Sequence, residues 1–394
     1  MKSMSAKNQY NLLYFLFCLV GCCATGFVAV FLQYKGVSNT QIGVVTGSAC
    51  VASIFIAPWL AALIMKIDRL TVNGLLIYIL LTMGGLFCSM TWLDLPAVVI
   101  MVFYSLLYCL YLSAGPLIQV IASGYVQEGE DINFGLARGL GSVSWAITAV
   151  LAGPIIDRFD PRVLPVGFVV FGVLMLWLLL KMPQTKGQKR SEKGEKGGSI
   201  GHIIKTYRVY FLILLGFSCC MAGNTALGTY LPNIVRELGG TTSTYGICLF
   251  VNAMSEMPVM AMASKWMKKV GAMPLCVLGG CAYVVRNLIV CLAPNLPVLF
   301  FGLLFQSLSY GLLTAVVAYY VIYYLAPQDQ IMGQTMIGMM TSGCGSMIGN
   351  VVGGVLQDTI GLSAMYVFAL ICTSIGALII LRARSMDKKL QKTA

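Results

Sequence analysis

Long apolar runs alternate with short polar breaks along the whole chain, and the runs are too long for strands or for the amphipathic helices of a soluble domain. About 20 apolar residues in a helix cross a hydrocarbon core of about 30 Å. On that measure twelve spans are predicted, at 9–33, 41–65, 71–92, 96–122, 134–156, 163–182, 208–231, 243–264, 272–292, 296–325, 332–356 and 361–381. Within lipid each backbone polar group needs an internal partner, so such runs become helices. The expected fold is all-α: a six-helix bundle over 1–182, a linker over 183–207, and a second bundle with a tail over 208–394. The linker is the longest polar interruption, and its Gly and Lys content suits a flexible cytoplasmic connection. The first apolar run lacks a small-residue cleavage site and is too long for a secretory signal.

Composition agrees with this pattern. The chain is 58% hydrophobic and only 10% charged, whereas soluble domains carry about 25% charge. Its net charge of +12 raises the question of a nucleic-acid partner, but the distribution answers it. With the amino terminus taken as cytoplasmic, 20 Lys and Arg fall on that side of the membrane and 4 on the other. This bias predicts that both termini and the linker are cytoplasmic in a multi-pass plasma-membrane protein, and it accounts for the basic balance without nucleic acid. The 14 cysteines lie in apolar runs and read as small hydrophobes, and the single histidine, His202, sits in a basic loop. No metal, cofactor or enzymatic site is expected, because the nucleophile–base pair, the ligand cluster and the phosphate loop are all missing from the sequence.

The halves echo each other. Span two has Gly43, then Ser53 ten residues on and Lys66 at its end; span eight has Gly246, Glu256 and Lys268 in corresponding places. Spans five and eleven both finish in a glycine-containing turn toward an aspartate, "GPIID" (Gly153 to Asp157) and "GVLQD" (Gly354 to Asp358). Six plus six spans around a basic middle loop fit parallel repeats that hold a solute between them.

Three ionisable residues fall well inside spans: Arg138, Glu256 and Arg286. Each costs about 2.5–3.5 kcal/mol at the bilayer centre even on the lenient insertion scale, and such groups mark solute or ion paths. At about 1.5 Å per residue, Arg138 and Glu256 are the better matched in depth, which predicts a charge pair that is made and broken as the halves rock. Around Arg138, in "FGLARGLGSVSW", residues Gly141, Ser142 and Trp145 share its helix face, and Gly135 and Gly139 suit close helix contact. Asn252 shares the face of Glu256 one turn earlier. Trp145 offers a flat apolar wall for a sugar ring. As structural alternatives, the charges are ion pairs locking the bundles together and Trp145 is a packing aromatic.

At these residues the sequence resembles the major facilitator superfamily, in particular its lactose permease-like branch of oligosaccharide:proton symporters. "FGLARGLGSVSW" is similar to that branch's helix-5 signature, which implies that Arg138 contacts sugar hydroxyls and Trp145 stacks on the ring. "YVVRNL" places Arg286 at the branch's helix-9 arginine, and "MSEMP" puts Glu256 near its sugar-binding and coupling carboxylate. The departures are Gln119 in "GPLIQV" for a helix-4 glutamate, Gln306 and Ser309 in "FQSLSY" for a helix-10 histidine and glutamate, and a weakened loop motif, "AALIMKIDRL", around Asp68 and Arg69. The resemblance implies a secondary transporter, proton-coupled through Glu256 and Arg286, that binds an oligosaccharide or similar neutral solute through Gln119, Arg138, Ser142, Trp145, Asn252 and Gln306. The expected partners are that solute, protons and the lipid bilayer, for a monomer. A nucleoside:proton symporter is one alternative, and a proton-driven exporter of amphipathic compounds is the other. For the latter "AVLAGPIID" keeps only part of the exporters' glycine–proline signature, with Pro154 read as a helix end.

Overall fold

The computed structural model describes residues 5–67, 70–127, 129–130, 132, 134–183 and 199–393. Asp68 and Arg69 of the weakened loop motif and linker residues 184–198 lie outside the described residues. The described elements are helical throughout: α1 Ala6–Gly21, α2 Val28–Tyr34, α3 Asn39–Lys66, α4 Val72–Trp92, α5 Ala97–Gln127, α6 Phe134–Arg158, α7 Val163–Lys181 and α8 Ile200–Thr206. After α8 come α9 Arg208–Thr229, α10 Leu231–Glu237, α11 Thr242–Val270, α12 Ala272–Cys291, α13 Leu296–Leu304, α14 Leu312–Tyr324, α15 Gln330–Gly338, α16 Ser346–Thr359 and α17 Leu362–Thr393.

Among the described residues eleven helices are long and apolar enough to cross a membrane. The region of the twelfth predicted span, 332–356, is helical too, but a π-helical stretch, Met339–Gly345, divides it into α15 and α16. Side-chain packing explains the widened turn: the Ser218 hydroxyl of α9 donates to Met340 O at 2.6 Å, and a Cβ on Gly345 would stand only 2.6 Å from Ser218 O. Pro154 does not end its helix, contrary to the sequence reading. It lies inside α6, which runs on to Arg158, and Pro58, Pro116 and Pro258 lie inside their helices likewise. Neighbouring helices and local adjustments make such prolines tolerable in membrane helices.

The chain forms two compact units. Unit 1 comprises Met1–Val37, Ser48–Lys189 and Gly240–Ala253; unit 2 comprises Ser38–Gly47, Arg190–Gly239 and Met254–Ala394. Each therefore holds the opening turns of one helix that continues in the other, α11 for unit 1 and α3 for unit 2.

An edge-to-face aromatic group centres unit 1. The ring of Phe87 meets Phe31 at 5.0 Å, Phe168 at 5.8 Å and Tyr104 at 6.1 Å between centroids, tying α2, α4, α5 and α7. A π-helical segment, Cys22–Gly26, separates α1 from α2. Two of its carbonyls find tyrosine hydroxyls: Tyr104 donates to Ala24 O at 2.7 Å and Tyr245 to Gly26 O at 2.6 Å. That is how the widened segment satisfies its backbone in an apolar setting.

Unit 2 is built on a backbone-to-backbone contact of α9 with α17. Gly216 and Gly376 face each other so closely that a Cβ on Gly216 would lie 2.7 Å from Gly376 O. Small residues permit this approach, and dispersion rather than water exclusion holds such a pair in lipid. Tyr210 stacks on Tyr320 at 5.8 Å and donates its hydroxyl to Gly333 O at 2.8 Å, fixing α9 against α14 and α15.

Candidate functional site

In unit 1 the predicted residues of α6 line one exposed face. Arg138 is exposed, Ser142 and Trp145 are half-buried, and the Ser142 hydroxyl donates back to Arg138 O at 3.3 Å. Close contact with α1 is made at Gly141: a Cβ there would come within 2.7 Å of the Tyr14 ring and 2.8 Å of Cys18 Sγ. The guanidinium of Arg138 is within electrostatic reach of Cys18. Further along α1, Phe17 stacks on Tyr111 of α5 with centroids 4.7 Å apart and planes at 18°. The Tyr111 hydroxyl lies over the backbone of Gly21, where no side chain could fit. Trp145 packs its indole edge on Gly26, whose added Cβ would be 3.3 Å from it. Tyr14 thus packs at Gly141 on the α6 face that carries Arg138 and Trp145, while Phe17 and Tyr111 stack together further along α1. No salt bridge reaches Arg138 among the described residues.

Gln119 is exposed on α5, and Asn252 is half-buried in the part of α11 that belongs to unit 1. The main-chain oxygen of Gln119 accepts from Ser123 Oγ at 3.1 Å.

The other predicted residues belong to unit 2. Arg286 is 2% exposed, and its Nη1 donates to Asn287 Oδ1 at 2.8 Å. One turn earlier on α12, Tyr283 is fully buried and donates to Met221 Sδ at 3.5 Å. Glu256 and the neutral Tyr283 both lie within electrostatic reach of the Arg286 guanidinium. Glu256 lies against Gly311, the last residue of a third π-helical segment, Ser307–Gly311: a Cβ on that glycine would sit 3.5 Å from Glu256 Cα, Cβ and Cγ. Gln306 immediately precedes this segment and is buried at 8% exposure. Among the described residues, buried Arg286 Nε, Asn287 Nδ2 and Gln306 Oε1 have no hydrogen-bond partner. Buried polar atoms are rarely left so, which marks this as a place where water, a solute or a shifted rotamer has a role.

Sequence reasoning expected a single site with Arg138 paired to Glu256; in the structure Glu256 lies within electrostatic reach of Arg286, and no salt bridge to Arg138 is formed among the described residues. It missed Tyr14 and Tyr111, although Tyr14, Cys18 and Gly21 share a face at helical spacing and were legible as one. It also missed Asn287, the neighbour of Arg286 in "YVVRNL", and Tyr283. All 14 cysteines are free; Cys281 and Cys344 are exposed rather than buried, facing outward from apolar helices. Among the described residues no group of three or more His, Cys, Asp and Glu is arranged to hold a metal.

Comparison with known proteins follows the same lines. The chain is 25% identical over 254 residues to the uncharacterized transporter YwbF of Bacillus subtilis strain 168, covering 64% of this chain and 62% of the relative. It is 24% identical over 269 residues to the maltose permease of Geobacillus stearothermophilus, covering 68% and 66%. A probable 3-phenylpropionic acid transporter of Escherichia coli K12 is 24% identical over 355 residues, covering 88% and 89%. The matches to the first two thus span just under two thirds of those proteins. Among solved structures, a point-mutant form of the nucleoside transporter NupG superposes with a TM-score of 0.81 at 15% identity, covering 97% of this chain and all of that one. That likeness shows the fold, and these relatives and neighbours are transporters rather than enzymes. Residues 8–368 match the model of the MFS_1 like family, and the chain belongs to that family.

Proposed function

We propose that this chain is a proton-coupled secondary transporter that carries a neutral polyhydroxylated solute, an oligosaccharide or similar sugar, by alternating access. The carrying observation is the exposed Arg138 on a helix face shared with Ser142 and Trp145, with Tyr14 packed on it at Gly141. A few placed donors against aromatic faces suit a ring bearing hydroxyls. Gln119, Asn252 and Gln306 add amides that can both donate and accept. The maltose permease among the relatives supports a sugar, and the NupG fold keeps the nucleoside reading beside it. Glu256 carries the proton: it is a carboxylate inside a span, where such groups mark ion paths, and it lies within electrostatic reach of Arg286. The 20-to-4 distribution of basic residues supports a plasma-membrane protein with cytoplasmic termini.

A second reading is favoured by one feature, the Arg138 guanidinium with Gln119 where the symporter branch has a glutamate. A cation on a helix face that also carries Trp145 suits an aromatic monocarboxylate too, and the probable 3-phenylpropionic acid transporter matches over most of this chain. Uptake of labelled maltose, uridine and 3-phenylpropionate into right-side-out vesicles, with and without an imposed pH gradient, separates these. Maltose accumulation that collapses with the gradient is the expected result; accumulation of 3-phenylpropionate alone replaces the sugar by the acid. Glu256→Gln should abolish accumulation and leave downhill exchange measurable. Full accumulation by that variant removes the proton role from Glu256.

A further inference from the structure

A groove of about 390 Å³ lies between α1, α6 and α7 in unit 1, and none of Arg138, Ser142 and Trp145 lines it. Its floor is buried, formed by Leu19 and Cys23 of α1 and its π-helical continuation and by Leu164 of α7. Small residues make the room: Gly167 brings α7 onto Cys23, whose Sγ would stand 3.2 Å from an added Cβ, and Ala152 is the small residue on the α6 side. Leu151 and Ile155 rim it at 60% and 45% exposure. The one hydroxyl in its wall, that of Thr148, donates to Ser144 O at 2.8 Å. The groove therefore suits hydrocarbon rather than a group in need of hydrogen bonds.

At one end the chemistry changes. Arg158 stands one turn beyond Ile155 on the same side of α6, and Arg162 directly precedes Val163, a lining residue of α7. Both arginines are exposed and fall between the predicted spans 134–156 and 163–182, where headgroups begin. The acids around them are committed elsewhere. Asp157 accepts from Thr242 N at 3.0 Å and Ser243 N at 2.7 Å, and Asp160 Oδ2 lies 3.9 Å from Arg162 Nε. Asp94 and Asp160 act on Lys35, a third cation within electrostatic reach of Arg162, whose ammonium donates to Thr91 O at 3.1 Å. Among the described residues no salt bridge reaches Arg158. Its guanidinium lies 5.7 Å from the ring centre of Phe159, which is itself exposed at this level.

We propose that this groove holds one acyl chain of an anionic phospholipid whose phosphate is bound by Arg158, with Arg162 beside it. A guanidinium matches phosphate oxygens in geometry as well as charge, and the apolar channel below it accounts for the tail. Neither half suffices alone: inorganic phosphate leaves the groove empty, and a neutral lipid leaves the arginine unanswered. The site uses none of the residues assigned to solute, so it stands apart from the carrier reading.

The test uses the full chain in phosphatidylcholine nanodiscs doped with phosphatidylglycerol that carries a photoactivatable diazirine midway along one acyl chain. Phosphatidylcholine with the same chain is the control, and labelled peptides are mapped by mass spectrometry. Phosphatidylglycerol should label 147–155 and 163–171 about fivefold more than the control, as one anionic headgroup beside one free arginine implies. Unlabelled phosphatidylglycerol should compete and unlabelled phosphatidylcholine should not. Arg158→Gln should remove the preference, Arg158→Lys should retain most of it, and Arg162→Gln should lower it less, because Asp160 already shares that charge. Ala152→Phe, which fills the groove, should reduce labelling by both lipids. Equal labelling by the two lipids in the unaltered protein overturns the site, as does labelling spread evenly over the exposed helices. Competition by inorganic phosphate as strong as that by phosphatidylglycerol also overturns it, since the tail would then have no part. These three outcomes are read on the unaltered protein and do not depend on how any variant folds.

Discussion

Arg138 and Arg286 are the two arginines deep in spans, and the two units treat them in opposite ways. Arg138 stands on a glycine-rich helix face, exposed, with its neighbours on α1 drawn close by Gly141. Arg286 is sealed at 2% exposure, one hydrogen bond satisfied by Asn287, with Tyr283 and Glu256 in electrostatic reach. Both stand inside spans, where an ionisable side chain is costly. What separates a group offered to a solute from one built into the protein is the packing around it. Arg286→Met sharpens the contrast most: removing a buried cation and leaving Glu256 without it should cost about 3 kcal/mol, seen as a lower unfolding temperature of the purified protein. Part of that loss should return in Arg286→Met with Glu256→Gln, since the stranded carboxylate is then gone. A single variant as stable as the parent would mean that Arg286 is as dispensable to the fold as an exposed residue.

Arg138→Gln should do the reverse. Its stability should lie within about 0.5 kcal/mol of the parent, as for exposed substitutions generally, while solute affinity falls by about 2 kcal/mol, roughly 30-fold, through loss of charge-assisted hydrogen bonds. Binding is measured by protection of the thermal transition with added maltose or 3-phenylpropionate. Equal protection of parent and variant by both ligands would make the exposed arginine a bystander and erase the difference between the units.

The two arginines also show how far the sequence reaches. Their membrane depth is legible because hydrophobic run length alone fixes a span; the predicted 71–92 and 134–156 correspond to Val72–Trp92 and Phe134–Arg158. Their different surroundings are not, because burial depends on which helices pack together. The π-helical segments beside Trp145 and Glu256 escape sequence reading for the same reason, since hydroxyls and backbone from other helices shape those turns. Pro154 shows the limit of a local rule: a residue that stops helices in water continues one in lipid. The aspartate echo was visible, but its partners, at Thr242 and Thr40, required the fold.

Two aspartates give the finest form of the comparison: Asp157 of α6 accepts from Thr242 N and Ser243 N at the start of α11, and Asp358 of α16 from Thr40 N and Asn39 Nδ2 at the start of α3, in different surroundings. The Asp358 contact is reinforced from α10 and the residue before it. Tyr230 donates its hydroxyl toward Asn39 O and Asn350 O, each at 2.9 Å, and Asn233 Nδ2 donates to Asn39 Oδ1 at 3.1 Å. Asp358 lies beyond the predicted span 332–356, within reach of water. Partial burial works to raise its carboxyl, but hydrogen bonds from Thr40 and Asn39 prevail and hold it below the ordinary carboxylate value. A carboxyl depressed in the folded protein stabilises it fully above the unfolded value, and that contribution is lost as pH falls through the folded one. The unfolding temperature of the parent should therefore exceed that of Asp358→Asn at neutral pH, and the gap should narrow only as the medium is acidified through and below pH ~4. The effect is small, because the carboxylate is exposed and its interactions are screened. A gap that stays constant down to the acid limit would show that the side chain's shape, rather than its charge, holds this contact, and Tyr230 and Asn233 would then be its main support.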